Sequence, residues 1–130
     1  MRILIAEDDF LSRKTISEYL SRYGECDITA DGMEATFAFT SAVESGEFYD
    51  LVCLDVMMPM VDGVQALQII RDTEEQHSVP EDKLCKVIML TALNDDRTQK
   101  KAIEIGCAEY VNKPIDYDKM DAVLKKIGLI

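Results

Sequence analysis

The chain has 130 residues, 48% of them hydrophobic and 30% charged, with 3 prolines and 6 glycines. At roughly 100–200 residues per domain this is a single domain over 1–130, with enough apolar content to build a core and too much to stay disordered. Fourteen basic against 25 acidic residues give a net charge of −11, which disfavours direct nucleic-acid binding and adsorption to anionic membranes, and apolar runs of only a few residues exclude insertion into a bilayer.

Met1-Arg2-Ile3-Leu4-Ile5-Ala6 runs straight into Glu7-Asp8-Asp9, without the apolar stretch and small-residue cleavage site of a secretory signal, so a cytoplasmic location is expected. Within that stretch Ile3 to Ala6 is continuously apolar, as in a strand covered on both faces. Leu11, Ile16, Tyr19, Leu20 and Tyr23 recur at helical spacing. Cys26, Ile28 and Ala30 alternate with Asp27 and Thr29, which suits an edge strand. Asp31 followed by Glu34 resembles a capping box opening a second helix. Leu51-Val52-Cys53-Leu54 reads as a third strand, and Asp62 followed by Gln65 opens a third helix. Residues 73–86 read as a long surface connection. Val87 to Leu90 form the fourth strand, Gly106 ends the fourth helix, residues 108–112 make a mixed fifth strand, and Gly128 ends the fifth helix. The order βαβαβαβαβα over residues 2–128 favours an α/β fold, a doubly wound parallel sheet of five strands with helices on both faces, and leaves nothing over for an output module.

Cysteine and histidine add little. Cys26, Cys53, Cys85 and Cys107 form no C-x-x-C pair and read as free thiols of a reducing compartment. His77, the only histidine, has no Cys or His spaced to join it, which disfavours zinc.

The polar residues that follow the strands carry the chemistry. Glu7-Asp8-Asp9 follows the first strand, Asp55 the third, Thr91 the fourth and Lys113 the fifth. Ligands of open α/β sheets sit outside the carboxyl ends of the strands, at the switch in strand order. If the order is 2-1-3-4-5, strands one and three are neighbours there, and Glu7, Asp8 and Asp55 converge with Thr91 and Lys113 on the far side of Asp55. Two unit charges ~4 Å apart repel by about 4 kcal/mol at an effective dielectric near 20, and one lysine offsets only part of that. An oxygen-liganded divalent cation is the natural remedy, and a site with open positions for water and phosphate suits Mg²⁺. Asp8 or Asp55 taken alone reads as a helix cap or turn residue.

Four stretches together resemble the receiver domain of two-component response regulators in its stand-alone, chemotaxis-regulator-like form. They are Ile3 to Asp9, Asp50-Leu51-Val52-Cys53-Leu54-Asp55-Val56-Met57-Met58-Pro59-Met60-Val61-Asp62-Gly63, Val87 to Ala92, and Gly106-Cys107-Ala108-Glu109-Tyr110-Val111-Asn112-Lys113-Pro114. The resemblance implies a flavodoxin-like (βα)5 fold with strand order 2-1-3-4-5. It implies that Asp55 is the phosphoryl acceptor and that Mg²⁺ is held by Asp8, Asp55 and the Met57 backbone carbonyl, with Glu7 helping through water. Glu7-Asp8 is aligned as the acidic pair because Arg13 then falls at the family's spacing, leaving Asp9 to cap the first helix. It further implies that Lys113 pairs with Asp55 and then with the phosphate, and that the Lys113–Pro114 bond is cis. Thr91 would bind a phosphate oxygen and Tyr110 would rotate inward, altering a protein-binding surface on the fourth helix, fifth strand and fifth helix.

The expected function is therefore a signalling switch rather than an enzyme acting on a separate substrate. It would take its phosphoryl group from a sensor histidine kinase or a histidine phosphotransfer protein, catalyse its own phosphorylation and aspartyl-phosphate hydrolysis, and signal to a downstream target protein. Apolar Met57 and Leu93, two residues beyond Asp55 and Thr91, would flank the entrance for hydrolytic water and slow the loss of phosphate. Lys100, Lys101, Lys119, Lys125 and Lys126 read as solvated helix faces and helix-end cations. A mononucleotide binder of the same architecture would need a phosphate-cradling loop where Glu7-Asp8-Asp9-Phe10 stands. An aspartyl-phosphate phosphatase would need a general acid at Met57. A DNA-binding regulator would need a recognition helix beyond residue 128, and a degenerate receiver would lack some of the five polar positions that this chain fills.

Overall fold

The computed structural model describes residues 1–92 and 96–130. In chain order the elements are β1 (Arg2–Ala6), α1 (Phe10–Leu20), β2 (Glu25–Thr29), α2 (Gly32–Glu44), β3 (Leu51–Asp55), α3 (Gly63–Gln76), a 3₁₀ turn at Glu81–Lys83, β4 (Lys86–Thr91), α4 (Asp96–Ile105), β5 (Glu109–Asn112) and α5 (Tyr117–Lys126). The strands form one parallel sheet in the order β2-β1-β3-β4-β5. The chain therefore reverses its direction of winding between β1 and β3, and the carboxyl ends of those two strands lie side by side.

The sheet buries both faces. Leu4, Ala6, Val52, Leu54, Val87 and Met89 point toward α2, α3 and α4, where Phe39, Leu67, Ile70 and Ala102 meet them. Ile3, Ile5, Cys53, Ile88 and Leu90 point the other way, onto Ile16 and Leu20 of α1 and Met120 and Leu124 of α5. Period-two side chains in strands with an apolar layer on either side explain why β1, β3 and β4 read as unbroken apolar runs.

Capping sets the helix starts. Asp9, Asp31, Asp62 and Asp116 each accept a backbone N–H from the first turn of α1, α2, α3 and α5. The Asp62–Gln65 box is complete. The Asp31 box is half made, because the Glu34 carboxylate turns instead to the Ala30 N–H at 3.4 Å. Gly106 and Gly128, at φ +116 and +84, close α4 and α5 in a backbone region that disfavours side chains.

Three sequence expectations change. Residues 73–86 are not all connection: α3 continues to Gln76, with Thr73 and Glu74 buried. The Glu74 carboxylate is satisfied by Arg71 at 2.7 Å and the Cys85 N–H at 2.8 Å, a pairing that makes a charged segment part of the interior. β2 is the edge strand that its alternation suggested, but it ends at Thr29, before Ala30, and leaves Ile28 49% exposed. Leu11 leaves the helical stripe, being 70% exposed, and Tyr23 lies beyond the end of α1.

Candidate functional site

β1 ends at Ala6, and the next residues turn outward from the neighbouring ends of β1 and β3. Glu7 is fully buried, Asp8 is exposed, and Asp55, the last residue of β3, is buried. One carboxylate oxygen from each lies within 4.8 Å of the others. Asp9 points elsewhere: its Oδ2 accepts the Ser12 N–H at 2.9 Å, which caps α1 and holds its carboxyl below the ordinary value. Arg13 donates to the Glu7 carbonyl at 3.0 Å, fixing the turn from behind.

The β3–α3 loop holds the acceptor end of Asp55. The Met57 N–H donates to Asp55 Oδ1 at 3.2 Å, and the Gly63 N–H to the Val56 carbonyl at 3.0 Å. Gly63 can only be glycine here, because a Cβ would stand 2.3 Å from the Asp55 carbonyl oxygen. On the other side β5 delivers Lys113, whose Nζ lies 2.5 Å from Glu7 Oε2 and 3.1 Å from Asp55 Oδ2. The Lys113 N–H donates to the carbonyl of Thr91, the buried last residue of β4, at 2.7 Å, and the Lys113–Pro114 peptide is cis. Tyr110 is directed into the side of the sheet covered by α2, α3 and α4, where its hydroxyl is buried with no hydrogen-bond partner among the described residues. Leu93 lies outside the described residues.

The electrostatics follow from this crowding. Burial raises the pKa of Asp55, and the adjacent Glu7 raises it further, against the pull of Lys113. Asp8 is raised by burial and by Asp55. For Lys113, burial works against the charge, but Glu7 and Asp55 outweigh it and hold the ammonium above its ordinary value. Lys113 pairs with Glu7 and Asp55, all three carboxylates are hard oxygen donors, and the exposed side of Asp8 is open to solvent. This donor set fits a magnesium-sized divalent cation and offers nothing to a soft metal.

Sequence reasoning singled out Met57 but missed the rest of the apolar surroundings. Phe10 is 65% exposed, and Met57 and Met60 are exposed beside Asp55 in sequence. Leu11, Ile16, Pro114 and Ile115 line a cavity of about 190 Å³ between α1 and the Lys113 segment. The only signal was the placing of Phe10-Leu11 directly after the acidic turn.

The comparisons with known proteins agree with this geometry. Residues 3–125 match the model of the response regulator receiver domain. Chemotaxis protein CheY of Treponema pallidum is 31% identical over 99% of this chain and 81% of its own length. Histidine protein kinase 1 of Candida albicans is 30% identical over 98% of this chain, which spans 5% of that protein. The chain spans from 5% to 55% of the first four curated relatives. The crystal structure of a CheX–CheY complex with BeF₃ and Mg²⁺ from Borrelia burgdorferi contains a chain that superimposes with a TM-score of 0.81 at 25% identity, over 98% of this chain and 88% of that one. The chain belongs to the response regulator receiver domain family.

Proposed function

We propose that Asp55 accepts a phosphoryl group from the phosphohistidine of a sensor histidine kinase or histidine phosphotransfer protein, and that the modification switches a surface read by a downstream target protein. The observation that carries this reading is the meeting of Glu7, Asp8 and Asp55 with the ammonium of Lys113 at the winding reversal of the sheet. The apolar residues Phe10, Leu11, Met57 and Met60 support a protein donor, because they offer a partner contact area near the acceptor. Free thiols at all four cysteines fit a reducing compartment, and we assign the switch to the cytoplasm.

In this mechanism an Asp55 carboxylate oxygen attacks phosphorus in line with the departing imidazole. The O–P bond forms as the P–N bond breaks, and the electron pair leaves with the histidine ring. Charge spreads over the three equatorial phosphate oxygens in the transition state, and Lys113 is placed to meet it. Asp8, Asp55 and the Met57 carbonyl would hold Mg²⁺, with Glu7 helping through water, and the ion would supply the remaining positive charge. Lys113 stays with the phosphate afterwards. Thr91 then hydrogen-bonds a phosphate oxygen and draws its loop inward, Tyr110 repacks, and the surface of α4, β5 and α5 changes. Water attack on the aspartyl phosphate returns the switch to its resting state.

Incubation with Mg²⁺ and acetyl phosphate, followed by intact mass spectrometry, tests the reading. The wild-type chain is expected to gain one phosphoryl group, and Asp55→Asn or wild type with excess chelator none. Equal labelling of Asp55→Asn would overturn it.

A further inference from the structure

A second surface stands apart from the acceptor. β2 is an edge strand that, among the described residues, pairs only with β1. The N–H of Glu25 and the carbonyl of Thr29 point toward β1. By the alternation of a strand ladder, the N–H and C=O groups of Cys26 and Ile28 then point outward, with no strand beyond them among the described residues. An open groove of about 510 Å³ runs along this edge, between β2 and the Ala38, Ser41 and Ser45 flank of α2.

Its surroundings are apolar where a sheet edge is ordinarily polar. Ile28 is 49% exposed on the α1 side of the strand, the side on which Cys26 packs. On α2, Met33 is 52% and Phe37 75% exposed; at i and i+4 they lie one above the other, next to the groove flank. Large apolar groups grouped in this way on a soluble surface mark contact sites.

The charge around the groove selects the occupant. Glu25 and Asp27 on β2, Glu34 and Glu44 on α2, and Glu47 beyond it are acidic. The one cation lining the groove, Arg2, is already engaged by Asp27 at 3.4 Å, by Glu47 at 3.8 Å and by the Tyr49 ring at 4.7 Å. A second copy of the chain is disfavoured. Two-fold pairing through the outward groups of Cys26 and Ile28 is antiparallel and sets Asp27 against its own copy, in a protein of net charge −11.

We propose that the free edge of β2, with the adjoining flank of α2, docks an extended basic segment of a partner protein that adds to the sheet as a sixth strand. The two sides of the added strand call for different side chains. Those on the α2 side meet Glu25 and Glu34, Asp27 being shared already with Arg2 and the Tyr49 hydroxyl, and their cationic groups lie against the face of Phe37. Those on the α1 side meet Ile28 and are apolar. The segment therefore alternates basic and apolar residues, held by main-chain hydrogen bonds to Cys26 and Ile28. The proposal does not rest on phosphoryl acceptance.

The probe is a seven-residue peptide alternating arginine and valine, titrated into the ¹⁵N-labelled full chain and into its Asp55→Asn variant. Shift changes confined to Glu25–Thr29 and the exposed flank of α2 are expected in both proteins. An alternating glutamate–valine peptide is expected to bind at least tenfold more weakly, as is an arginine–valine peptide N-methylated on its hydrogen-bonding edge. Phe37→Ala and Ile28→Lys should each weaken binding at least fivefold without altering phosphorylation by acetyl phosphate. Several results would overturn the proposal: no shift at millimolar peptide, shifts spread over the whole acidic surface, shifts centred near Phe10 or on α5, N-methylated peptide binding equally well, or self-association through β2 in the absence of peptide.

Discussion

Lys113 reaches across β4 from the edge strand β5 to stand 3.1 Å from the Asp55 carboxylate on β3, and the same ammonium touches Glu7 at 2.5 Å. One side chain thus holds together two buried acids, one at the end of β3 and one just beyond β1. Replacing it by methionine keeps the stem and removes the charge. Lys113→Met should lower stability at pH 7 in the absence of Mg²⁺ by about 1–3 kcal/mol. Asp55 then binds a proton more readily in the folded chain than in the unfolded one, so the deficit shrinks as pH falls toward 4. Urea titrations of both proteins at pH 7 and pH 4.5 measure it; an equal deficit at the two values counts against the pairing.

Asp8 gives the complementary test. Burial and Asp55 hold its folded pKa above the ordinary 3.8. A carboxyl raised in this way contributes nothing unfavourable below the unfolded pKa, where both states are protonated. Above the folded pKa its charge opposes folding. Asp8→Asn should therefore raise the apo melting temperature by roughly 2–4 °C at pH 7, with the gain disappearing below about pH 3.8. The same variant should lose the rise in melting temperature that millimolar Mg²⁺ gives the wild type. A variant that melts below wild type at neutral pH, or still responds to Mg²⁺, would contradict the arrangement.

The contact between α1 and α5 has its own pH window. The Tyr23 hydroxyl donates to Asp121 Oδ1 at 2.6 Å, Tyr19 bonds the same oxygen, and Tyr19 stacks on Tyr117 with ring centroids 4.6 Å apart. The two hydroxyls hold the Asp121 carboxyl below its ordinary value, so its contribution is present above the unfolded pKa of about 3.8 and is lost as pH falls through the folded one. Burial, then Asp121, pushes the Tyr19 phenol well above 10, so its contribution is complete below pH 10 and is lost at higher pH. Asp121→Asn should melt below wild type between pH 5 and 9 and coincide with it under strong acid. Ultraviolet titration should find that Tyr19, and with it the buried Tyr49 bonded to Asp27, resists ionisation until the chain unfolds.

Met57 stands beside the acceptor, 61% exposed and without a group that could orient water. Met57→Gln should speed loss of the phosphoryl group by about 3- to 10-fold, roughly 1 kcal/mol of barrier. Phosphate release after rapid removal of acetyl phosphate measures it, and an unchanged rate removes any shielding role.

Gly63→Ala forces a Cβ to within 2.3 Å of the Asp55 carbonyl oxygen. A loss of about 2–3 kcal/mol is expected, together with slower phosphorylation, because relief of the clash must shift the acceptor backbone. Retention of wild-type stability and rate would show that the α3 start can move independently of Asp55.

The apolar runs of β1, β3 and β4 and the acidic, basic and hydroxyl residues that follow them were legible in the chain itself. Strand burial and strand ends are local properties, written in consecutive residues. So were the caps at Asp9, Asp31 and Asp62, which act over three residues, whereas the Asp116 cap of α5 was not read there. What tertiary structure decided lies in contacts between residues far apart in sequence. Only the assembled sheet puts β1 beside β3 and lets Lys113 span to Glu7. Only the approach of Cys85 makes Glu74 an interior residue, so a polar stretch that looked like loop continues α3. Ile28 shows the other side of this: its alternation suited an edge strand and β2 does lie at the sheet edge, but that Ile28 stays 49% exposed there was decided by what packs around the strand. Local pattern specifies which residues prefer to be covered, and the packing of distant elements determines which of them are.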